Sequence, residues 1–157
     1  MTETEIQSMM IDNKTINQRI ENSLNAIFAN IGITAAQGRV LMYIANCPDR
    51  EIFAADLHKH LCISKPSVSA LIKKLRKSGY ICCTGCESDE RYKNLAVTEK
   101  GRKVAMLISQ HMRNTEQEAF RTFTEDEMSE FMRLQKKLLN NISNMNTEKL
   151  KMERMTD

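Results

Sequence analysis

The chain has no tryptophan, two prolines and five glycines in 157 residues, and aromatic residues make up only 5%. So few helix breakers permit long uninterrupted helices. No apolar run approaches the roughly 18 residues of a membrane span, and no basic start precedes an apolar core near the N-terminus. Neither a membrane span nor a secretory signal is expected, and the chain is expected to be cytoplasmic. Cysteines are few and odd in number: Cys47, Cys62, Cys82, Cys83 and Cys86. They are expected to be reduced there. Among His58, His60 and His111 there is no His-x-x-x-His or Glu-x-x-His set, so no metal is expected. No serine has a His/Asp partner in its sequence context, and no Gly-rich phosphate loop occurs. Neither an enzyme nor a cofactor is expected.

Apolar residues at 41% and charged residues at 27% fit one helix-rich globular domain. The net charge of +3 is unevenly spread. Residues 64–103 carry ten Lys/Arg against four Asp/Glu, whereas the flanking segments are near neutral. A local basic block is the footprint expected for a polyanion partner. A solvated basic face has the same charge, so the pattern around it must decide.

From Asn13, Ile16, Ile20, Leu24, Ile27, Phe28 and Ile31 recur at helical spacing up to Gly32; residues 1–12 are weakly patterned. Thr34 with Gln37 forms a capping box for a second helix bearing Val40, Leu41, Ile44 and Ala45. Phe53–Leu61 reads as a short third helix. Ser64 is an N-cap for a fourth, with Pro66 in its first turn and Gly79 beyond its end. Tyr80–Thr84 and Lys93–Val97 are short strand candidates. Thr98 caps a long fifth helix to about Phe120. Thr124–Glu127 is another capping box, opening a sixth helix with Met128, Phe131, Met132, Leu138, Ile142 and Met145.

In the fourth helix Val68, Leu71, Ile72 and Leu75 form a buried stripe. The opposite face is small and polar near its start, with Lys65, Ser67, Ser69 and Ala70, then cationic with Lys73, Lys74, Arg76 and Lys77. Small side chains let a helix N-terminus approach base edges, and lysines further along reach phosphates. A short helix, a tight break and this helix make a helix-turn-helix. The hairpin after it carries a charged knot at Glu87–Lys93. In a winged helix such a hairpin reaches towards the adjacent minor groove, where a cation is attracted. Arg91 is the natural cation, and Asp89 is placed to orient it.

The segment ESDERYKNLAVTEKGRKV resembles the wing signature of the MarR family of bacterial regulators, through Asp89, Arg91, Leu95, Val97, Thr98, Lys100 and Gly101. ADLHKHLCISKPSVSALIKKLRKSGYI resembles the family's helix-turn-helix at Leu57, Leu61, Ser64, Val68, Leu75, Gly79 and Ile81. GITAAQGRVLMYI resembles the element before it. The resemblance covers about residues 16–145. Two positions depart from the pattern. Tyr92 stands where many members have a second arginine, and Pro66 replaces a residue that is often flexible.

The resemblance implies a mainly α fold with a small β-hairpin wing. It implies a single MarR-like domain over 1–157. Within it, 34–103 form the winged helix-turn-helix DNA-binding region, and helices at 13–32 and 104–145 form an intertwined homodimer. The implied function is sequence-specific binding of a pseudo-palindromic duplex by a transcriptional regulator, most often a repressor released by a small molecule or oxidant. The expected DNA-binding residues are Ser64, Lys65, Pro66, Ser67, Ser69, Ala70, Lys73, Lys74, Asp89, Arg91 and Lys93. Two alternatives stay open. Cys82, Cys83 and Cys86 at the wing base could sense thiol oxidants or a soft metal, although alternation would put Cys82 and Cys83 on opposite strand faces. A winged helix can also serve protein partners without specific DNA contact.

Overall fold

The computed structural model describes residues 2–84 and 94–145. Asp89, Arg91, Lys93 and Cys86 therefore lie outside the described residues. Two compact units divide the chain, Met1–Ala119 and Phe120–Asp157.

Helix α1 spans Glu3–Phe28 and starts well before Asn13. Its start is fixed by Thr2, whose hydroxyl accepts from the Glu5 N–H at 3.3 Å while the Glu5 carboxylate accepts from the Thr2 N–H at 2.7 Å. This reciprocal cap satisfies donors that the first turn would otherwise leave bare. Only the far end of α1 enters the core, through Leu24 and Phe28. Its first half carries Ile6, Met9, Met10, Ile11 and Ile16 exposed.

A 3-10 turn at Ala29–Ile31 leads to α2, Ala35–Ala45. The expected box forms: the Gln37 N–H donates to the Thr34 hydroxyl at 3.2 Å, and the Thr34 N–H to the Gln37 side-chain oxygen at 2.8 Å. The Asn25 side chain accepts from the Ala35 N–H at 2.7 Å, so α1 also pins the start of α2. Val40, Leu41 and Ile44 of α2 are buried.

Next come α3 (Ala54–Leu61), α4 (Lys65–Lys77), β1 (Ile81–Thr84) and β2 (Asn94–Val97). The strands pair antiparallel, with Ile81 opposite Val97 and Thr84 opposite Asn94. Ile52, ahead of α3, joins them: the Leu95 N–H donates to the Ile52 carbonyl at 2.8 Å. Helix α5, Glu99–Ala119, then runs back over α1 and α2 and buries Ala105 and Ile108. Phe28, Leu41, Ile52, Leu57, Leu75 and Ile108 are all below 2% exposed and form one core. Each such side chain contributes roughly 1.5–3 kcal/mol by leaving water. The helix-turn-helix and the hairpin base are thus built on the same apolar centre as α1, α2 and α5.

In the second unit, α6 spans Glu125–Ser143. The Glu127 N–H donates to the Thr124 hydroxyl at 3.2 Å, and the Thr124 N–H to the Glu127 carboxylate at 2.9 Å. Phe120, Phe123 and Phe131 form a three-ring cluster, with centroids 5.4–6.0 Å apart, that folds the incoming turn onto α6. No residue of α6 is buried. Met132, Leu134, Leu138, Leu139 and Ile142 are exposed along it. Among the described residues, no single helix is long and apolar enough to cross a membrane.

Candidate nucleic-acid interface

The interface is built around the break between α3 and α4. Asp56 caps α3 by accepting from the Phe53 N–H at 2.9 Å, and Leu57 locks the helix to the core. The helix ends at Cys62, whose φ of 53° and ψ of 34° are left-handed. Cys62 is the one non-glycine residue with positive φ among the described residues. Neighbouring bonds hold this conformation. The His58 Nδ1 pairs with the Ile63 carbonyl across the turn. Ser64 then caps α4 by accepting from the Ser67 N–H at 3.3 Å, and the two hydroxyls lie 2.8 Å apart. Pro66 sits in the first turn, where no helical partner awaits its missing N–H.

Helix α4 has two unlike sides. Val68 and Leu75 are 1% and 0% exposed, and Leu71 and Ile72 pack half-buried beside them. Ser64, Lys65, Pro66, Ser67, Ser69, Ala70, Lys73 and Lys74 are all exposed. The expected DNA-facing residues of α4 therefore share the face away from the core. Lys74, Arg76 and Lys77 gather in the last turn, where cations also favour the helix C-terminus. Gly79, with φ of 72°, reverses the chain into β1.

The hairpin base is held at three points. The Ile52 N–H donates to the Asn94 side-chain oxygen at 2.9 Å. The Thr98 hydroxyl lies 2.7 Å from the Gly79 carbonyl and 3.1 Å from the Tyr80 carbonyl, and accepts from the Gly101 N–H at 3.0 Å. The Lys100 ammonium donates to the Ser78 carbonyl at 2.8 Å and stands 4.8 Å from the Tyr80 ring centroid. A Cβ on Gly101 would overlap the Tyr80 carbonyl oxygen and come within 2.8 Å of Val97 Cγ2, so only glycine fits this approach.

Cys82 is exposed and Cys83 half-buried, on opposite faces of β1 as alternation requires. The Cys82 thiol points at the Ala96 carbonyl, 3.6 Å away on β2. Among the described residues, no group of three or more His, Cys, Asp or Glu side chains is arranged to hold a metal ion. Sequence reasoning missed the structural roles of Cys62 and Asn94. A left-handed cysteine carries no sequence signal. The Asn94 bond joins positions 42 apart, beyond any local pattern.

Comparison with known proteins places this geometry. A model of the MarR family matches residues 31–91, which run from α2 through the helix-turn-helix into the hairpin. The HTH-type transcriptional regulator PapX of Escherichia coli is 24% identical over 130 residues, covering 83% of this chain and 79% of PapX. A MarR family regulator from Listeria monocytogenes, solved with a 26mer DNA, superposes with a TM-score of 0.76 at 27% identity, over 86% of this chain and 89% of that one. A MarR protein from Peptoclostridium difficile superposes with a TM-score of 0.80 at 23% identity, over 92% and 93% of the two chains. MepR of Staphylococcus aureus, solved with DNA, gives 0.75 at 22% identity, over 90% and 96%. By its match over residues 31–91 and by a winged-helix fold shared along most of its length, the chain is similar to the MarR family.

Proposed function

We propose that the protein is a homodimeric transcriptional regulator that reads a pseudo-palindromic DNA duplex with α4 and represses until an effector releases it. The carrying observation is the two-sided α4: Val68 and Leu75 anchor it while Ser67, Ser69, Ala70, Lys73 and Lys74 face outward. Small residues at the helix start let the backbone approach base edges, and the lysines suit phosphates. Asp89, Arg91 and Lys93 extend this surface in the reading taken from the family's wing. Pairing two copies would set the half-sites roughly 34 Å apart, one DNA turn.

The dimer reading is supported by the exposed apolar residues on the first half of α1 and along α6. Exposed apolar stripes of this extent mark interaction surfaces. For the effector, the supporting feature is a cavity of about 320 Å³ lined by Asn17, Ile20, Glu21, Ala36, Arg39, Leu61 and Ile63. It sits where α1 meets the helix-turn-helix, and the Glu21–Arg39 ion pair at 2.9 Å lies in its wall. Its size is at the lower end of small-molecule sites. The thiol-sensor alternative gains no support from β1, which turns Cys82 and Cys83 to opposite faces.

The test is a titration of the full-length protein on the duplex upstream of its own gene and on random duplex, at two salt concentrations. The expected result is strong preference for the upstream duplex and affinity that falls steeply with salt. Equal, weak binding to both duplexes with a flat salt response would overturn the reading in favour of a protein-interaction winged helix.

A further inference from the structure

We infer that Lys100 is a positioning residue: it fixes the direction of α4 through the Ser78 carbonyl and makes no phosphate contact of its own. This inference rests on the DNA-binding reading above and deepens it.

A lysine at the base of a wing, in a basic segment, would ordinarily be assigned to DNA phosphate. The geometry assigns it elsewhere. Helix α4 ends by leaving carbonyls without helical partners, as every helix does. Those of Lys74, Leu75 and Arg76 accept from the N–H groups of Ser78, Tyr80 and Gly79, and the start of α5 collects the carbonyls just past the helix end. Lys100 Nζ takes the Ser78 carbonyl at 2.8 Å. The Thr98 hydroxyl proton is shared between the Gly79 and Tyr80 carbonyls, at 2.7 and 3.1 Å. The Thr98 N–H donates to the Tyr80 carbonyl at 3.1 Å. Three successive carbonyls are thus held by one turn of chain that comes from the far side of the hairpin.

The Tyr80 ring keeps the ammonium in place. Its centroid is 4.8 Å from Lys100 Nζ, within cation–π range. Gly101 closes the joint by letting the α5 backbone touch the Tyr80 carbonyl. The ammonium therefore has a charge-assisted partner, an aromatic neighbour and a favourable helix C-terminus together. Moving Lys100 to a phosphate would break all three. Meanwhile α5 is buried against α1 and α2 through Ala105 and Ile108. Lys100 is thus a strut between the long-helix scaffold and the C-terminal end of the reading helix.

The decisive comparison is among wild type, Lys100→Met and Lys100→Arg. Lys100→Met keeps an apolar stem over Tyr80 and removes the ammonium. Each is titrated on the upstream and random duplexes over a salt series, and amide hydrogen exchange is measured at residues 78–81. The expected result for Lys100→Met is roughly five- to ten-fold weaker binding to the upstream duplex, the scale of one solvent-exposed hydrogen bond. Random-duplex affinity and the log–log salt slope should stay as in wild type. Exchange at 78–81 should speed up, and Lys100→Arg should restore most of both effects. A phosphate contact would behave differently: affinity for both duplexes would fall together and the slope would drop by about one. That outcome, or unchanged affinity with unchanged exchange, overturns the inference. If wild type shows no preference for the upstream duplex, the DNA-binding reading fails by itself. Exchange then decides the strut alone, faster exchange supporting it and unchanged exchange ending it.

Discussion

Ile52 and Asn94 are separated by 42 positions, yet the Ile52 N–H donates to the Asn94 side-chain oxygen at 2.9 Å. With the Leu95 N–H on the Ile52 carbonyl at 2.8 Å, Ile52 is tied to the start of β2 by one side-chain and one backbone bond. The Ile52 side chain is 1% exposed, so its backbone has little water to turn to. Asn94→Ala should orphan that N–H and cost about 1–3 kcal/mol, read as a lower urea midpoint at unchanged slope. Asn94→Asp keeps an acceptor at the same place and should cost less. Equal midpoints for wild type and Asn94→Ala would show that the bond contributes nothing.

Gly101→Ala should be more damaging. The added carbon would overlap the Tyr80 carbonyl oxygen, which is main chain and cannot swing aside. Overpacking of this kind costs typically about 1–3 kcal/mol, and a backbone obstacle belongs at the upper end. The melting temperature of Gly101→Ala should fall well below that of Gly101's exposed neighbour variant, Arg102→Ala. A variant that melts like wild type would mean that the joint between α4 and α5 can open without cost.

The exposed stripe on α6 tests the dimer. Leu138 and Ile142 lie one helical turn apart and are 36% and 48% exposed. Replacing both with glutamate keeps residues that favour helix. In the expected outcome, sedimentation shows a monomer, and far-UV dichroism shows the helices of the first unit retained. A double variant that still sediments as a dimer would move the interface away from α6.

Acid should loosen the start of α6. The Thr124 N–H and hydroxyl both bond the Glu127 carboxylate, which holds its pKa below the ordinary value of 4.5. A carboxylate with a lowered folded pKa stabilises above the unfolded value, and that contribution fades as pH falls through the folded value. The cap should therefore be whole at neutral pH and lost progressively below 4.5. An NMR titration of Glu127 should give a lower midpoint in wild type than in Thr124→Ala. Identical midpoints would show that the cap does not act on the carboxylate.

Much of this fold was legible because its signals are local. Thr34 with Gln37, Ser64, and Thr124 with Glu127 each announce a helix start by a hydroxyl placed three residues before its target. Val68 and Leu75 announce the buried side of α4 by spacing alone, and the outward face follows by subtraction. The same hydroxyl signal stood at Thr2 and Glu5, but the apolar residues after it, Ile6, Met9, Met10 and Ile11, are only weakly patterned, and α1 was expected to begin only at Asn13. The Asn94 bond was not legible, because nothing near Asn94 in sequence marks Ile52 as its partner. The stripe on α6 was legible as apolar, but periodicity shows only that a face seeks cover. Lys100 was visible as part of a family signature and its task was not, since a lysine can reach a carbonyl or a phosphate equally well.

The left-handed Cys62 has one more consequence. A side chain in that conformation costs about 1–2 kcal/mol that glycine would not, so the turn persists because the His58–Ile63 and Ser64–Ser67 bonds over-determine it. A turn held from both sides has little freedom to change the angle between α3 and α4. The pair should approach a duplex as a rigid die. A base sequence that does not suit it must then be met by bending the DNA, so part of the selectivity would be written in the stiffness of base pairs that the protein never touches.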